Sequence, residues 1–110
     1  MEIEETGSDE LLVLKPVGRL DSSTTPAVQD RVMAVLARRP RHLVIDFAAL
    51  DYVNSSGLRV MLLAAKKLKQ DGGRFTLCAM QPKVREVFEI SGFHKIIEIV
   101  ADIESCTSAC

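Results

Sequence analysis

Short apolar runs along this chain alternate with stretches in which apolar residues recur at helical spacing, and this alternation predicts an α/β fold. Near the N-terminus, Ile3 and the run 11–17 flank a Gly7-Ser8-Asp9 turn and predict a β-hairpin. The run 42–47 is almost continuously apolar, which is typical of a buried parallel strand. Further strands are predicted at 74–79 and 96–99.

Three stretches between these runs predict helices. The first begins in a cluster of hydroxyl residues with Pro26 in its first turn, which is typical of a capped helix start. The second is predicted from Ser55 to Gln70, and the third from Pro82, with Gly92 as its left-handed C-terminal cap. The order β β α β α β α β predicts crossover connections and a mainly parallel sheet, which the N-terminal hairpin makes mixed.

Length and charge narrow the function. A chain of 110 residues is expected to form one domain over 1–110, with 102–110 as a polar tail. The formal net charge of −1 and an aromatic content of 5% argue against binding to nucleic acid. The acidic N-terminus lacks a secretion signal, and no apolar run is long enough for membrane insertion. We therefore expect a cytoplasmic protein.

The cysteines and glycines give no sign of a metal or a cofactor. Cys78 lies in an apolar strand and is predicted to be a small buried hydrophobe. Cys106 and Cys110 lie in the polar tail, where their spacing without histidine partners is poor support for a metal site. Nucleotide binding would need a glycine-rich phosphate loop followed by lysine, whereas 71–73 is better explained as a helix stop.

Small polar residues crowd the start of the second helix, which a short predicted loop, 48–54, joins to the predicted strand 42–47. The carboxyl ends of parallel strands usually carry the functional site of such folds. A helix N-terminus also favours an anion, so a phosphate on Ser55 would be stabilised there. One hydroxyl of Ser55 and Ser56 is expected to cap the helix, which leaves the other spare. Gly57 lacks a Cβ and would allow another group to approach the backbone closely.

The second helix also predicts two faces. One face should pack on the sheet through Leu58, Met61, Leu62, Ala64, Ala65 and Leu68. The opposite face is basic, with Arg59, Lys66, Lys67 and Gln70, and it also carries Val60 and Leu63. Exposed aliphatic residues beside a phosphorylation site are either scattered surface residues or the apolar part of a protein-docking surface.

Several short motifs along nearly the whole chain point to one family. They are Gly18-Arg19-Leu20-Asp21, Val44-Ile45-Asp46, Ser55-Ser56-Gly57-Leu58 within 51–58, Gly72-Gly73 before a strand, and Ser91-Gly92-Phe93. In this combination the chain resembles the STAS domain (sulfate transporter and anti-sigma antagonist), and more narrowly the freestanding bacterial anti-sigma factor antagonists. The resemblance implies a single STAS-like domain, with a four- to five-stranded mixed sheet and helices mainly on one face.

The same resemblance implies a non-catalytic, partner-switching module that regulates transcription. Ser55 would be phosphorylated by a serine kinase that is also an anti-sigma factor, and a metal-dependent serine phosphatase would reverse the modification. The dephosphorylated form would bind the kinase and release a sigma factor or another target. The partner surface would include Asp21, Ser22, Ser23, Thr24, Asn54, Ser56, Gly57, Leu58, Arg59 and Leu63. Relatives often carry aspartate where this chain has Asn54, which affects kinase recognition but keeps the acceptor hydroxyl.

Two other functions compete with this one. A hydrolase with Ser55 as nucleophile would need a nearby base, and the histidine candidates are His42, at the far end of a strand, and His94. The sequence around Ser55 also differs from a nucleophile elbow. Within the same fold, the alternative is a non-catalytic subunit of a transporter, a lipid-trafficking complex or a stress-sensing assembly. The expected lack of an attached domain favours a freestanding regulator.

Overall fold

A five-stranded mixed sheet forms the centre of the computed structural model, which describes residues 1–108. In chain order the elements are β1 Ile3–Gly7, β2 Leu12–Pro16, β3 Gly18–Leu20, α1 Thr25–Leu36, β4 His42–Asp46, β5 Leu50–Val53, α2 Ser55–Gln70, β6 Arg74–Cys78, α3 Pro82–Ser91, a 3₁₀ turn Phe93–Lys95, β7 Glu98–Val100 and α4 Ile103–Ser108. Within this range, no helix combines the length and the apolar composition that crossing a membrane requires.

The strand order β1-β2-β4-β6-β7 confirms the predicted mixed sheet. β1 runs antiparallel to β2 through the N-terminal hairpin, and every later pair in this sheet is parallel. The helical crossovers between the parallel strands follow from the alternation of strand and helix patterns in the sequence.

Three helices cover one face of the sheet, as predicted. Alternate strand residues such as Leu14, Ile45 and Leu77 share a buried cluster with side chains from α1, α2 and α3. Within that cluster the rings of Phe47 and Phe88 meet edge to face, with their centroids 5.8 Å apart. The other residues of the same strands, at the alternate positions, point to the opposite face of the sheet, where the short helix α4 packs.

The second face corrects the prediction of a polar tail. Residues 103–108 form α4, and its start is stabilised by Asp102, whose Oδ1 accepts hydrogen bonds from the Ser105 N–H and hydroxyl, both at 2.8 Å. Cys106 is fully buried against Val44 and Cys78. Cys78 is fully buried as well, which confirms it as a small buried hydrophobe, and burial raises its pKa to about 12. Cys110 lies outside the described residues, and residues 1–108 contain no metal-binding cluster.

Two strand assignments also differ from the prediction. Gly18–Leu20 and Leu50–Val53 form a separate two-stranded parallel sheet, and neither segment was predicted to be a strand. The last strand is Glu98–Val100, because the N–H groups of Ile96 and Ile97 donate to the Phe93 carbonyl and so take no part in the ladder. Ile96 is consequently 63% exposed.

Candidate functional site

The small β3–β5 sheet brings two distant segments together at the start of α2. Leu20 and Val53, the last residues of the two strands, are paired in register. Directly after them, the Asn54 N–H donates to the Leu20 carbonyl over 3.0 Å. The loop that follows β3 therefore lies against the first turn of α2. Two side-chain contacts join them: Asn54 Nδ2 to Ser22 Oγ at 3.3 Å, and Thr25 Oγ1 to Ser56 Oγ at 3.1 Å.

Asn54 caps α2, which corrects the expectation that one of the two serines does so. Its backbone is extended, and its side-chain oxygen accepts from the N–H groups of Ser56 at 3.1 Å and Gly57 at 3.2 Å. The same oxygen accepts from the Ser56 hydroxyl at 2.7 Å. The Ser56 hydroxyl is thus held inside the helix start.

Ser55 is the first residue of α2, and its side chain is exposed. Among residues 1–108 its hydroxyl makes no hydrogen bond, so a modification there would break none. The aligned peptide dipoles of α2 give this end a partial positive charge, although the Ser56 and Gly57 N–H groups are already bonded to Asn54. The position can therefore accept a phosphate without disturbing the packing beneath it.

Asp21 organises the neighbouring loop. Its Oδ1 accepts from the Ser23 hydroxyl at 2.6 Å, the Ser23 N–H at 2.9 Å and the Thr24 N–H at 3.2 Å. The hydroxyl bond from Ser23, followed by the backbone bonds, holds the pKa of Asp21 below its usual value. The Thr24 hydroxyl donates to the Arg19 carbonyl at 2.7 Å. Asp21 keeps its negative charge near neutral pH, although it makes no hydrogen bond to Ser55.

Gly57 and Leu58 lie under this surface. A Cβ on Gly57 would come within 2.7 Å of Leu20 Cγ, so the close approach expected at this glycine is made by the chain's own core. Leu58 is only 8% exposed. These two buried residues shape the helix start from below.

The outward face of α2 is narrower than predicted. Arg59 is exposed and Leu63 is 44% exposed, but Val60 is 3% exposed and belongs to the core. The prediction for Val60 was wrong because α2 contacts α1 as well as the sheet, and so buries a second side. Leu62 and Ala65 on the predicted inner face are only partly buried.

A groove beside this surface was missed by the sequence analysis. Arg19 and Tyr52 are paired across the small sheet, and the guanidinium carbon of Arg19 lies 4.3 Å from the Tyr52 ring centroid. Finding the pair from sequence would have required recognising β3 and β5 as strands. The groove, about 570 Å³ in volume, is lined by Arg19, Asp51, Tyr52, Gln81, Pro82 and Lys83.

Neither histidine is placed to activate Ser55. His42 is buried at the other end of the sheet, where its Nε2 lies 2.8 Å from Thr76 Oγ1. His94 Nδ1 lies 3.4 Å from the Phe88 carbonyl oxygen. Within the described residues, Ser55 therefore has no hydrogen-bonded base of the kind a serine nucleophile needs.

The Asn54 cap leads to a stability prediction. Asn54→Ala removes the acceptor for two helix N–H groups, so we expect the free energy of unfolding to fall by about 1–2 kcal/mol. Asn54→Asp keeps the acceptor and adds a charge favoured at a helix N-terminus, so its stability should stay within about 0.5 kcal/mol of the wild type. Urea unfolding of the three proteins measures both values. Equal midpoints for Asn54→Ala and wild type would contradict the capping role.

His42 leads to a pH prediction. Burial, followed by the nearby Arg74 charge, lowers the pKa of His42, so the unfolded chain takes up this proton first. The free energy of unfolding should therefore be at its full value above about pH 6.5 and should fall as the pH drops toward the folded-state pKa. We expect His42→Gln to flatten this dependence between pH 5 and 7 in urea unfolding series. Parallel curves for both proteins would contradict it.

Comparisons with known proteins agree on one protein family. The family model for the STAS domain matches residues 1–106. The chain is 39% identical to the "Putative anti-sigma factor antagonist BtrV" of Bordetella bronchiseptica, over 92% of this chain and 87% of that protein. It is 31% identical to the anti-sigma F factor antagonist of Paenibacillus polymyxa, over 90% of this chain and 86% of that protein.

A solved structure agrees with these sequence matches. The crystal structure of an anti-sigma factor antagonist from Mycobacterium paratuberculosis superimposes with a TM-score of 0.90 and 27% sequence identity. The match covers 98% of this chain and 92% of that one. The overall fold of this chain is thus shared with a solved structure of a similar protein.

Proposed function

Because the chain belongs to the STAS domain family, we propose that it is an anti-sigma factor antagonist controlled by phosphorylation of Ser55. Its unmodified form binds a serine kinase that is also an anti-sigma factor, and this binding releases the sigma factor or another target. Phosphorylation by the same kinase ends the binding. The exchange takes place in the cytoplasm, and the chain itself is a binding module without catalytic activity.

The single observation that carries this proposal is the environment of the Ser55 hydroxyl. It is exposed, it makes no hydrogen bond within residues 1–108, and it lies at the positive end of a sixteen-residue helix that the neighbouring Asn54 caps. A kinase can therefore reach the hydroxyl, and a phosphatase can reach the phosphate, without unfolding the helix. Ser56 is a poorer acceptor because its hydroxyl is engaged by Asn54 and Thr25.

The loop that follows β3 is a second reason to place the docking site at the surface around Ser55. Ser22 and Ser23 are exposed, and Ser22 is linked to Asn54 by a hydrogen bond. The ionised Asp21 adds a negative charge to this surface before any phosphate is present. A phosphate brings roughly 1.5 to 2 further negative charges at neutral pH. The switch is thus a local change of charge that needs no rearrangement of the sheet.

Reversal requires a second enzyme. A metal-dependent serine phosphatase restores the unmodified form in this proposal, and the exposed position of Ser55 supports its access. The modified and unmodified chains should keep the same backbone, since no described residue forms a hydrogen bond with the Ser55 hydroxyl. Backbone chemical shifts that changed across the whole sheet on phosphorylation would contradict a local switch.

The test is affinity capture from the source organism with three baits. They are the wild-type chain, Ser55→Ala, and a chain with phosphoserine incorporated at position 55 during translation. We expect the first two to retain a small ATP-binding serine kinase and the third to lose it. Capture of a transport ATPase or a permease by all three baits would instead indicate a structural subunit of a transporter and overturn the proposal.

A further inference from the structure

Helix α2 carries positive charge and no negative charge. Its sixteen residues include Arg59, Lys66, Lys67 and Lys69 but neither aspartate nor glutamate. Arg59 is the first of these cations, four residues after Ser55. No carboxylate on this helix can therefore compete for the Arg59 guanidinium.

Arg59 also differs from most arginines of the chain, because it has no ionic partner in the part of the chain that the structure describes. Its side chain is exposed and makes no ion pair or hydrogen bond with the rest of residues 1–108. Ion pairs with carboxylates are instead made by Arg19, Arg31, Arg38, Arg41, Arg74 and Arg85. The guanidinium nearest to Ser55 along the helix is thus available for a new partner.

Helix geometry places that partner at Ser55. Residues four apart lie on the same face, about 6 Å apart along the axis. Long helical side chains lean toward the N-terminus, so the Arg59 guanidinium can reach the turn that begins with Ser55. An anion four residues before a cation is the more favourable order of such a pair. A phosphate offers three acceptor oxygens, which suit the planar fork of a guanidinium.

We infer that Arg59 binds the phosphate on Ser55 and so reads the modification. This inference rests on the proposed function, and it adds a second element to the switch. In the unmodified chain Arg59 is exposed beside Leu63 and is available to an acidic group of the partner. In the phosphorylated chain the phosphate holds the guanidinium, and the partner loses a cation at the same time as it meets a new anion.

The inference is tested by the phosphate's own titration, without any kinase. Phosphoserine is incorporated at position 55 during translation, and its second pKa is measured by ³¹P NMR. An adjacent cation stabilises the dianion, so we expect Arg59→Gln to raise this pKa by about 0.3–0.7 pKa units. Arg59→Lys, which keeps the charge, should restore at least half of the difference. At about 1 M salt the difference should shrink to less than half, because the Debye length falls to about 3 Å.

Lys66→Gln is the matched control. It removes one positive charge from the same exposed face, but Lys66 lies eleven residues beyond Ser55, roughly 16 Å along the helix. That distance exceeds the Debye length of about 8 Å at physiological salt, so the phosphate pKa should change by less than about 0.1 pKa unit. Thermal unfolding of each variant verifies that the exposed substitutions leave the fold intact.

The outcomes separate this inference from the function on which it rests. Equal phosphate pKa values in the wild type, Arg59→Gln and Lys66→Gln would overturn the Arg59 pair, even if a kinase modifies Ser55. An equal rise for Arg59→Gln and Lys66→Gln would also overturn it, since the effect would then be general helix charge. Failure of any kinase to modify Ser55 would overturn the proposed function, yet it would leave the titration result unchanged.

Discussion

Phosphoserine at position 55 is expected to weaken binding to the partner kinase several hundredfold. The phosphate adds roughly 1.5 to 2 negative charges to a surface that already contains the ionised Asp21. In the complex this phosphate would meet the acidic group of the partner that Arg59 otherwise contacts, and such a like-charge contact in a close interface costs several kcal/mol. A loss of ~3–4 kcal/mol corresponds to a several-hundredfold rise in Kd, because each ~1.4 kcal/mol is a factor of ten.

Two serine variants serve as controls for this binding measurement. Ser55→Ala should bind within about threefold of the wild type, because its hydroxyl has no partner among residues 1–108 and its loss leaves no buried polar group unpaired. Ser55→Asp should bind more weakly than Ser55→Ala but more tightly than the phosphoserine protein, since it adds a single charge. Isothermal titration with the captured kinase gives all four Kd values. Unchanged affinity for the phosphoserine protein would contradict the switch.

Gly57→Ala is expected to destabilise the protein by about 1–3 kcal/mol, although alanine has the higher helix propensity. Alanine in a helix interior is normally more stable than glycine by roughly 1 kcal/mol. At this position, however, the added methyl would lie 2.7 Å from Leu20 Cγ and 3.2 Å from Val53 Cγ1. Overpacking should therefore outweigh the gain in helix propensity, so the free energy of unfolding falls. Urea unfolding measures this change.

A double-mutant cycle with Leu20→Ala identifies the cause. Leu20 is fully buried, so Leu20→Ala alone should cost about 2–5 kcal/mol. In the Leu20→Ala background the clash at position 57 is largely removed, and Gly57→Ala should become neutral or stabilising. The same destabilisation by Gly57→Ala in both backgrounds would show that contact with Leu20 is not the reason. A stabilised Gly57→Ala single variant would contradict the tight packing itself.

Much of the fold could be predicted because its signals are local. The bounds of α2 at Ser55 and Gln70 were predicted correctly, since the apolar spacing and the 71–73 stop are read within one element. Gly92 adopts the predicted left-handed conformation, with φ of 80°, at the end of α3. Burial of Val84 and Phe88 likewise follows from spacing alone.

The errors lie where several elements decide together. β3 and β5 have only three and four residues, and each is a strand only because the other pairs with it. Val60 has the spacing of an outward residue, but α1 covers that side of α2. Cys106 lies in a polar segment, yet α4 places it against the second face of the sheet. The apolar pattern of the strands does not predict this contact.

The helix start shows the same limit at the scale of single residues. Three neighbours, Asn54, Ser55 and Ser56, can each cap a helix. The extended backbone at Asn54, with φ −106° and ψ −175°, gives the cap to the asparagine and leaves Ser55 as the first helical residue. The Asn54 N–H also donates to the Leu20 carbonyl, which joins the cap to the β3–β5 pair. Sequence alone indicated a spare hydroxyl, and the structure identifies it as the one on Ser55.

The most direct measurement is intact-mass analysis of the chain after incubation with its captured kinase and ATP, followed by peptide mapping of the modified residue. A single phosphoryl group on Ser55, absent from Ser55→Ala, is the expected result. Kinase release that proceeds normally while Ser55 stays unmodified, or a phosphoryl group on Ser22, Ser23, Thr24 or Ser56 instead, would contradict the account.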